Sequence, residues 1–295
     1  MAKVRAFITN KKRENCEDSF SVNAANKSIA IADGVSQSLF SKLWANILTK
    51  AAVNNNTAIS EDFIIPLKNE WWNRVEEIIK EKEKNNDPYV ERTKRLLYIE
   101  DNTAAATLTS CKISNGGSVT YSIIGDSCFA IVNKDMELLH LYSSKGDFAE
   151  LDNSPEYIDS SNNQTVVGTI IQGEYVPQQG DVILLCTDAV SNFLRKHKDN
   201  KELIKKVIGI CSHQEFENLI NRLWGQGLKI DDITIVIIDS LLDTNFIFER
   251  EMSSNLEIFK EEQKNQDEKE NLDTRTFNFF KIFSTKLRKK SCEVS

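Results

Sequence analysis

Four apolar runs in this chain each end at, or begin from, an aspartate. SIAIADG leads to Asp33, YSIIGDS to Asp126 and LLCTDAVSNF to Asp188, while DDITIVII opens on Asp231 and Asp232. Short apolar runs rich in Ile and Val read as buried strands. A carboxylate at the end of such a strand must neutralise, find a cation or reach water, because a buried unpaired charge costs several kcal/mol. Four occurrences predict acids gathered at the rim of one sheet system.

The chain has 295 residues, 40% of them hydrophobic and 27% charged, enough for one catalytic-sized domain plus an appendage. Its formal net charge of -7 argues against a nucleic-acid groove, which needs a basic face. The cysteines Cys16, Cys111, Cys128, Cys186, Cys211 and Cys292 form no CxxC pair, and several lie in apolar runs. That pattern favours reduced thiols over a disulfide framework or a zinc site. No segment is apolar enough for a signal peptide or a membrane span, so the expected location is cytoplasmic.

KVRAFIT, DSFSVN and SIAIADG read as strands. In SQSLFSKLWANILTKAAV the residues Leu39, Phe40, Leu43, Trp44, Ile47, Leu48 and Ala51 share one helical face, with Ser36 or Ser38 as the expected cap. A second helix is expected to begin at Pro66, with Trp72, Val75, Ile78 and Ile79 inward, and PYVERTKRLLYI to add a third. TAAATLTSCKI, SVTYSIIGD and FAIVNKDMELLHLY then look like consecutive antiparallel strands. The polar stretch 143–165 has no clear period and is expected to be a mobile loop near a site. DVILLCTD reads as a strand, KELIKKVIGI and EFENLINRLW as amphipathic helices, and DDITIVIID as the last strand. Strands, then helices, then strands again, without βαβ alternation, favour an antiparallel α+β sandwich over a doubly wound sheet. The domain is expected to span residues 1–242. Residues 243–295, densely charged and ending in FNFFKIFSTKLRKK, read as an appended tail, partly helical or disordered, able to dock on the domain or a partner.

Glu17, Asp18, Asp33, Asp126, Asp188 and Asp231, unaccompanied by histidine or cysteine ligands, make a hard-oxygen donor set suited to magnesium or manganese. Gly34 has no side chain, so its carbonyl can approach an ion closely. Two ions a few ångströms apart can bridge a water and aim it in line at phosphorus.

The ordered set RENCEDSF, ADGV, TAAATL, IIGDS, LLCTDA and DDITIVII resembles the motif series of the metal-dependent protein phosphatases, the protein phosphatase 2C family, especially its bacterial branch. The resemblance spans roughly Arg5 to Ser240. It implies a four-layer α-β-β-α sandwich whose two central antiparallel sheets hold a dinuclear metal centre at one edge. It also implies a serine/threonine phosphatase that hydrolyses phosphomonoesters by direct attack of metal-bound water, with two Mg2+ or Mn2+ ions and a weaker third. Residue by residue, Asp33 matches the aspartate bridging both ions, Glu17 and the Gly34 carbonyl match ligands of one, and Asp188 and Asp231 match ligands of the other. Asp18 matches the acid that holds the water, and Asp126 joins Asp188 at the third site. Arg13 falls at the phosphate-binding arginine, and Thr103 opens a strand motif that supports the centre. A phosphorylated protein substrate and a cognate Ser/Thr kinase, or its target, are the implied partners.

Cys16 stands where many members have Asn, Ala189 where they have Gly, Cys128 where they have Arg, and Val35 where eukaryotic members have a histidine. A weakly active, metal-binding regulatory module and a small-metabolite phosphatase are therefore the rival readings. Arg13 in KKRE also reads as part of a solvated basic loop, a reading that its spacing of three residues before Cys16 places second to the phosphate clamp, and Asp232 reads as a structural hydrogen-bonder rather than a ligand. His140, His197 and His213 match no catalytic position.

Overall fold

A computed structural model describes residues 3–11, 16–55, 59–151, 156–161, 166–239 and 250–252. Strands β1 (Lys3–Thr9), β2 (Ser19–Asn23) and β3 (Ser28–Ala32) precede helices α1 (Ser41–Asn54), α2 (Glu61–Lys84) and α3 (Val90–Tyr98). A run of strands follows: β4 (Ala105–Ala106), β5 (Leu108–Ile113), β6 (Val119–Ile124), β7 (Cys128–Val132), β8 (Leu138–Ser143), β9 (Gly146–Asp147), β10 (Tyr157–Asp159), β11 (Val166–Val167), β12 (Ile171–Tyr175) and β13 (Val182–Cys186). Helices α4 (Asp188–Lys196), α5 (Lys201–Ile208) and α6 (His213–Trp224) lead to β14 (Ile233–Asp239) and β15 (Arg250–Met252).

The strands form a seven-stranded sheet in the order β15-β1-β14-β13-β7-β8-β9 and a five-stranded sheet in the order β12-β6-β5-β3-β2, with a small third sheet β11-β10-β4. Pairing is antiparallel throughout these sheets except between β1 and β15.

Alternation along each strand builds four layers, since successive side chains face opposite sides of a sheet. In β3, Ile29 and Ile31 pack against Val4, Ala6, Phe129, Ile183 and Val236, which fill the space between the two sheets. Ala30 and Ala32, on the other face, lie in a cluster with Trp44, Leu48 and Trp71 from α1 and α2. In β14, Val236 and Ile238 point between the sheets, while Ile235 and Ile237 cluster with Phe193, Ile204 and Phe216 from α4, α5 and α6. Central strands are thus apolar on both faces, and the order is helices, sheet, sheet, helices. Among the described residues no helix is long and apolar enough to cross a membrane.

Several local features differ from the sequence expectation. Neither Ser36 nor Ser38 caps α1; Phe40 does, in a left-handed conformation at φ 55 and without a side-chain bond. A non-glycine residue there is strained, by about 1–2 kcal/mol, and the Phe40 ring rests edge-on against Trp71. Ser38 is used elsewhere, its Oγ accepting from the Ala105 N–H and donating to the Val35 carbonyl.

Helix α2 starts five residues before Pro66, which lies inside it. Ser60 accepts from Phe63 N–H, and Glu61 and Asp62 complement the positive end of the helix dipole. Its inward face is Ile64, Lys68, Trp71, Val75 and Ile79, so Trp71 rather than Trp72 is the fully buried indole. The TAAATL strand breaks at Thr107 into β4 and β5, which join different sheets. The structure also adds α4, whose Ala189, Val190, Phe193 and Leu194 recur at helical spacing. Within the expected loop 143–165, β9 and β10 form, while residues 152–155 and 162–165 lie outside the described residues. The expected tail also lies outside them, apart from β15 on the edge of the seven-stranded sheet.

Candidate functional site

The two large sheets deliver acids to a common edge. From the five-stranded sheet come Glu17 and Asp18, just before β2, and Asp33, just after β3. From the seven-stranded sheet come Asp188, just after β13, and Asp231 and Asp232, just before β14. Asp126 occupies the turn where the chain passes from β6 in one sheet to β7 in the other.

Each acid is fixed by short polar contacts. Glu17 is buried; one carboxylate oxygen accepts from Ser41 Oγ at 3.0 Å and the other from Ser36 Oγ. Asp18 is 1% exposed, and its Oδ2 accepts from Thr234 Oγ1 at 2.8 Å. Thr107 holds Asp33 at the backbone, its Oγ1 accepting from the Asp33 N–H at 3.0 Å and its own N–H donating back to the Asp33 carbonyl. A Cβ on Gly34 would meet the Glu17 carbonyl oxygen at 2.8 Å and Ser41 Cβ at 3.0 Å, so only glycine fits between those segments. Asp232 is buried and binds two backbone N–H groups, Lys11 at 3.0 Å and Glu17 at 2.7 Å. This is the structural hydrogen-bonder of the sequence reading, and it pins the β1–β2 loop to the start of β14.

The concentrated negative charge shifts these groups. Burial, then the charges of Asp18, Asp188, Asp126 and Asp231, push Asp33 well above the usual carboxylate range. Burial and Asp232 do the same to Asp18. Asp126 rises to about 7, chiefly through burial and then Asp188, and Asp232 to about 6, chiefly through burial. Asp231 moves the other way: burial opposes it, but hydrogen bonds from Lys11 and Lys229 prevail and lower its pKa. Lys229 Nζ lies 2.8 Å from Asp188 Oδ2 and 2.7 Å from Asp231 Oδ2, and Lys11 Nζ lies 2.8 Å from Asp231 Oδ1.

Among the described residues, the buried oxygens Asp18 Oδ1 and Asp188 Oδ1 at this edge have no hydrogen-bond partner. Orphaned carboxylate oxygens in an all-oxygen donor set fit a hard divalent cation, which would satisfy them and offset the charge. Among the described residues no group of three or more acidic, histidine or cysteine side chains is placed so that it could hold a metal ion as it stands. The two ammonium groups take oxygens of Asp188 and Asp231 that such an ion would use.

Of the residues singled out from sequence, Glu17, Asp18, Asp33, Gly34, Asp126, Asp188 and Asp231 share this edge, while Arg13 lies outside the described residues. Thr103 does not reach the acids. Its Oγ1 donates to Asp159 on β10 at 2.9 Å, because β4 has left the five-stranded sheet, and Thr107 holds Asp33 instead. Ala189 and Cys128 are buried in the core between the seven-stranded sheet and its helices, where both serve packing. The sequence reading missed Thr234, Thr107, Ser36, Ser41, Lys11 and Lys229. Thr234 and Lys229 could have been found from their places two and three residues from Asp231 and Asp232, but nothing in the sequence singles out Lys11 or the serines.

These features define an α+β sandwich with a cluster of acids on the shared edge of its two large, mainly antiparallel sheets. The family model described as "Protein phosphatase 2C" matches residues 9–223, and the chain belongs to the protein phosphatase 2C family. Among solved structures, the S. agalactiae serine/threonine phosphatase is similar at 15% identity and a TM-score of 0.52, over 81% of this chain and 99% of that one, and supports the fold. Staphylococcus aureus Stp1, at 13% identity and TM-score 0.49, covers 81% of this chain and 94% of its own. The Mycobacterium tuberculosis phosphatase PstP/Ppp, at 17% identity and TM-score 0.48, covers 81% and 98%. No curated protein sequence matches significantly.

Proposed function

We propose that the chain is a serine/threonine protein phosphatase that hydrolyses phosphomonoesters with two Mg2+ or Mn2+ ions held at the shared sheet edge. The carrying observation is the meeting of Glu17, Asp18 and Asp33 from one sheet with Asp188 and Asp231 from the other, with Asp18 Oδ1 and Asp188 Oδ1 buried and unpartnered. Asp33, Glu17 and the Gly34 carbonyl are the groups that would hold one ion, and Asp33, Asp188 and Asp231 those that would hold the other. Asp126 and Asp188 would hold a weaker third ion. When bound, the ions would polarise water for in-line attack on phosphorus and neutralise the phosphoryl oxygens.

The chain's own residues orient that chemistry. Asp18, held through Oδ2 by Thr234, would accept a hydrogen bond from the attacking water through Oδ1, which has no hydrogen-bond partner among the described residues. Arg13 supplies a planar fork for the phosphoryl oxygens. A phosphocysteine route is disfavoured, because the nearby thiols are buried and burial pushes Cys128 up to about 12, leaving it without thiolate character. Direct displacement therefore needs no covalent phosphoenzyme, and its acceleration is electrostatic and positional.

Residues 1–242 form the catalytic domain in this reading. Residues 243–295 are a tail that docks on a partner, and a cognate kinase or its target is the phosphorylated protein, in the cytoplasm. The test is hydrolysis of phosphoserine and phosphothreonine peptides by purified protein with manganese, beside a small aryl phosphate and an Asp33→Asn control. Turnover no greater than the control overturns the enzyme reading. Turnover of small esters alone favours a metabolite phosphatase.

A further inference from the structure

The Asp126 side of the acid edge is bordered by cations to which the proposed reaction gives no part. The turn between β8 and β9 is closed by the pairing of Ser143 with Gly146, and the Ser144 N–H ties it to the Asp126 turn by donating to the Gly125 carbonyl at 2.9 Å. Lys145 stands exposed on that turn, its own N–H donating to Ser143 Oγ at 3.2 Å. Its ammonium acts on Asp126: burial and Asp188 raise that acid, and Lys229 and then Lys145 pull against the rise.

Helix α4 carries the line outward. Asp188, Asn192 and Arg195 follow one another at helical spacing and share a face, so Arg195 lies about 10 Å along the axis from Asp188. Arg195 Nη1 donates to the Ala149 carbonyl at 2.5 Å and Nη2 to Asn192 Oδ1 at 2.8 Å, which fixes the guanidinium against the segment that follows β9. Those bonds use only part of its set of N–H donors. Farther along, Lys198 Nζ lies 5.5 Å from the centre of the Phe148 ring, and Lys196 is exposed. Of the acids beside this strip, Asp147 is bound by His140 at 2.7 Å and by the Leu141 N–H at 2.9 Å, while Glu150 and Asp199 follow Ala149 and Lys198 in the chain.

We propose that Lys145, Arg195 and Lys198 form a docking strip for acidic residues that neighbour the phosphorylated residue of a protein substrate. The inference rests on the phosphatase reading, which puts the phosphoryl group at the shared sheet edge. An extended peptide laid along α4 advances about 3.3 Å per residue, so the guanidinium of Arg195 meets a side chain about three positions from the phosphorylated one. Its planar fork suits a carboxylate there, and the two ammonium groups add to the attraction. A long polyanion such as nucleic acid would run over the acids of the edge and be repelled. A short acidic run beside a phosphorylated residue stays on the cationic strip.

The test compares kcat/KM of the full-length protein with Mn2+ on phosphothreonine peptides of equal length that carry Asp, Asn or Lys at the third and fourth positions from the phosphothreonine, placed on either side in turn. On one side the Asp peptide should be preferred over the Asn peptide about tenfold, the combined effect of a few exposed ion pairs, and the preference should shrink as salt rises. Lys145→Glu combined with Lys198→Glu should turn the preference toward the Lys peptide, whereas Arg195→Lys, which keeps the charge and loses the fork, should retain part of it. Each preference is a ratio within one protein, so partial misfolding of a variant does not change it. Fluorescence anisotropy of the same peptides, labelled, on Asp33→Asn protein reads docking apart from turnover and should rank them in the same order. Equal kcat/KM for the Asp and Asn peptides, or a preference that the Lys145→Glu and Lys198→Glu pair leaves unchanged, overturns the docking strip while the phosphatase reading stands. Absence of turnover with every peptide overturns the phosphatase reading, and the anisotropy ranking, with its response to the same pair, then decides the strip by itself.

Discussion

Thr234 governs what Asp18 can do. Its hydroxyl satisfies one oxygen of a carboxylate that is 1% exposed, while the other has no hydrogen-bond partner among the described residues. Thr234→Val keeps the shape of the side chain and removes that bond, so it should cost about 1–3 kcal/mol in metal-free denaturant unfolding and slow turnover by freeing the Asp18 rotamer. Asp188→Asn should weaken Mn2+ binding and reduce turnover by at least about 100-fold, the upper end seen when even outer partners of a metal site are lost. Circular dichroism should stay native, and unchanged turnover at limiting manganese would refute the assigned role.

The acids also set a pH dependence. Asp126 and Asp232 titrate near 7 and 6 in the folded chain, against about 3.9 when unfolded. Between those values the folded state keeps protons that the unfolded state has lost, so stability falls as pH rises from about 4 to about 7. In chelator the melting temperature should therefore be higher at pH 5 than at pH 8, and saturating Mn2+ should flatten the trend because a cation favours the ionised acids. An equal or higher melting temperature at pH 8 in chelator would contradict the buried acid cluster.

At the scale of elements, the join between β3 and α1 is tightly constrained. Gly34→Ala would set a methyl group 2.8 Å from the Glu17 carbonyl oxygen and 3.0 Å from Ser41 Cβ, forcing the β1–β2 loop and the first turn of α1 apart. The expected cost is about 1–3 kcal/mol in denaturant unfolding, with Mn2+ binding weakened more than the loss of stability alone explains. Strands and most helices were legible in the sequence because period and burial agree there. Ile29 to Ala32 and Ile233 to Ile238 are apolar at every position but one, as strands buried on both faces must be. What escaped was set by tertiary contact. Phe40 ends up as the cap of α1 because Ser38 is recruited by Ala105, and Trp71 faces inward because it shares the i, i+3, i+4 stripe of Ile64, Lys68, Val75 and Ile79. Asp33, Asp126, Asp188 and Asp231 were legible because each abuts an apolar run, whereas Glu17 and Asp18 were legible only through the motif RENCEDSF. The groups that hold them were not, since Ser36, Ser41, Thr107 and Lys11 look like ordinary polar residues until folding brings them across the sheet edge.

For the molecule as a whole, the acid edge is complete upstream of β15, which adds a parallel partner to the outer side of β1. A chain ending at residue 242 should keep metal-dependent turnover, with at most a modest loss of thermal stability from the missing edge strand. Failure of that truncation to fold would place the domain boundary further downstream. The turn carrying Asp126 is the seam where one leaf of the protein hands the chain to the other. An ion captured at that seam would act as a rivet through both leaves. Stripping it should then quicken amide exchange at the ends of β3 and β14 together, so that the protein reports its metal status through the breathing of its entire frame.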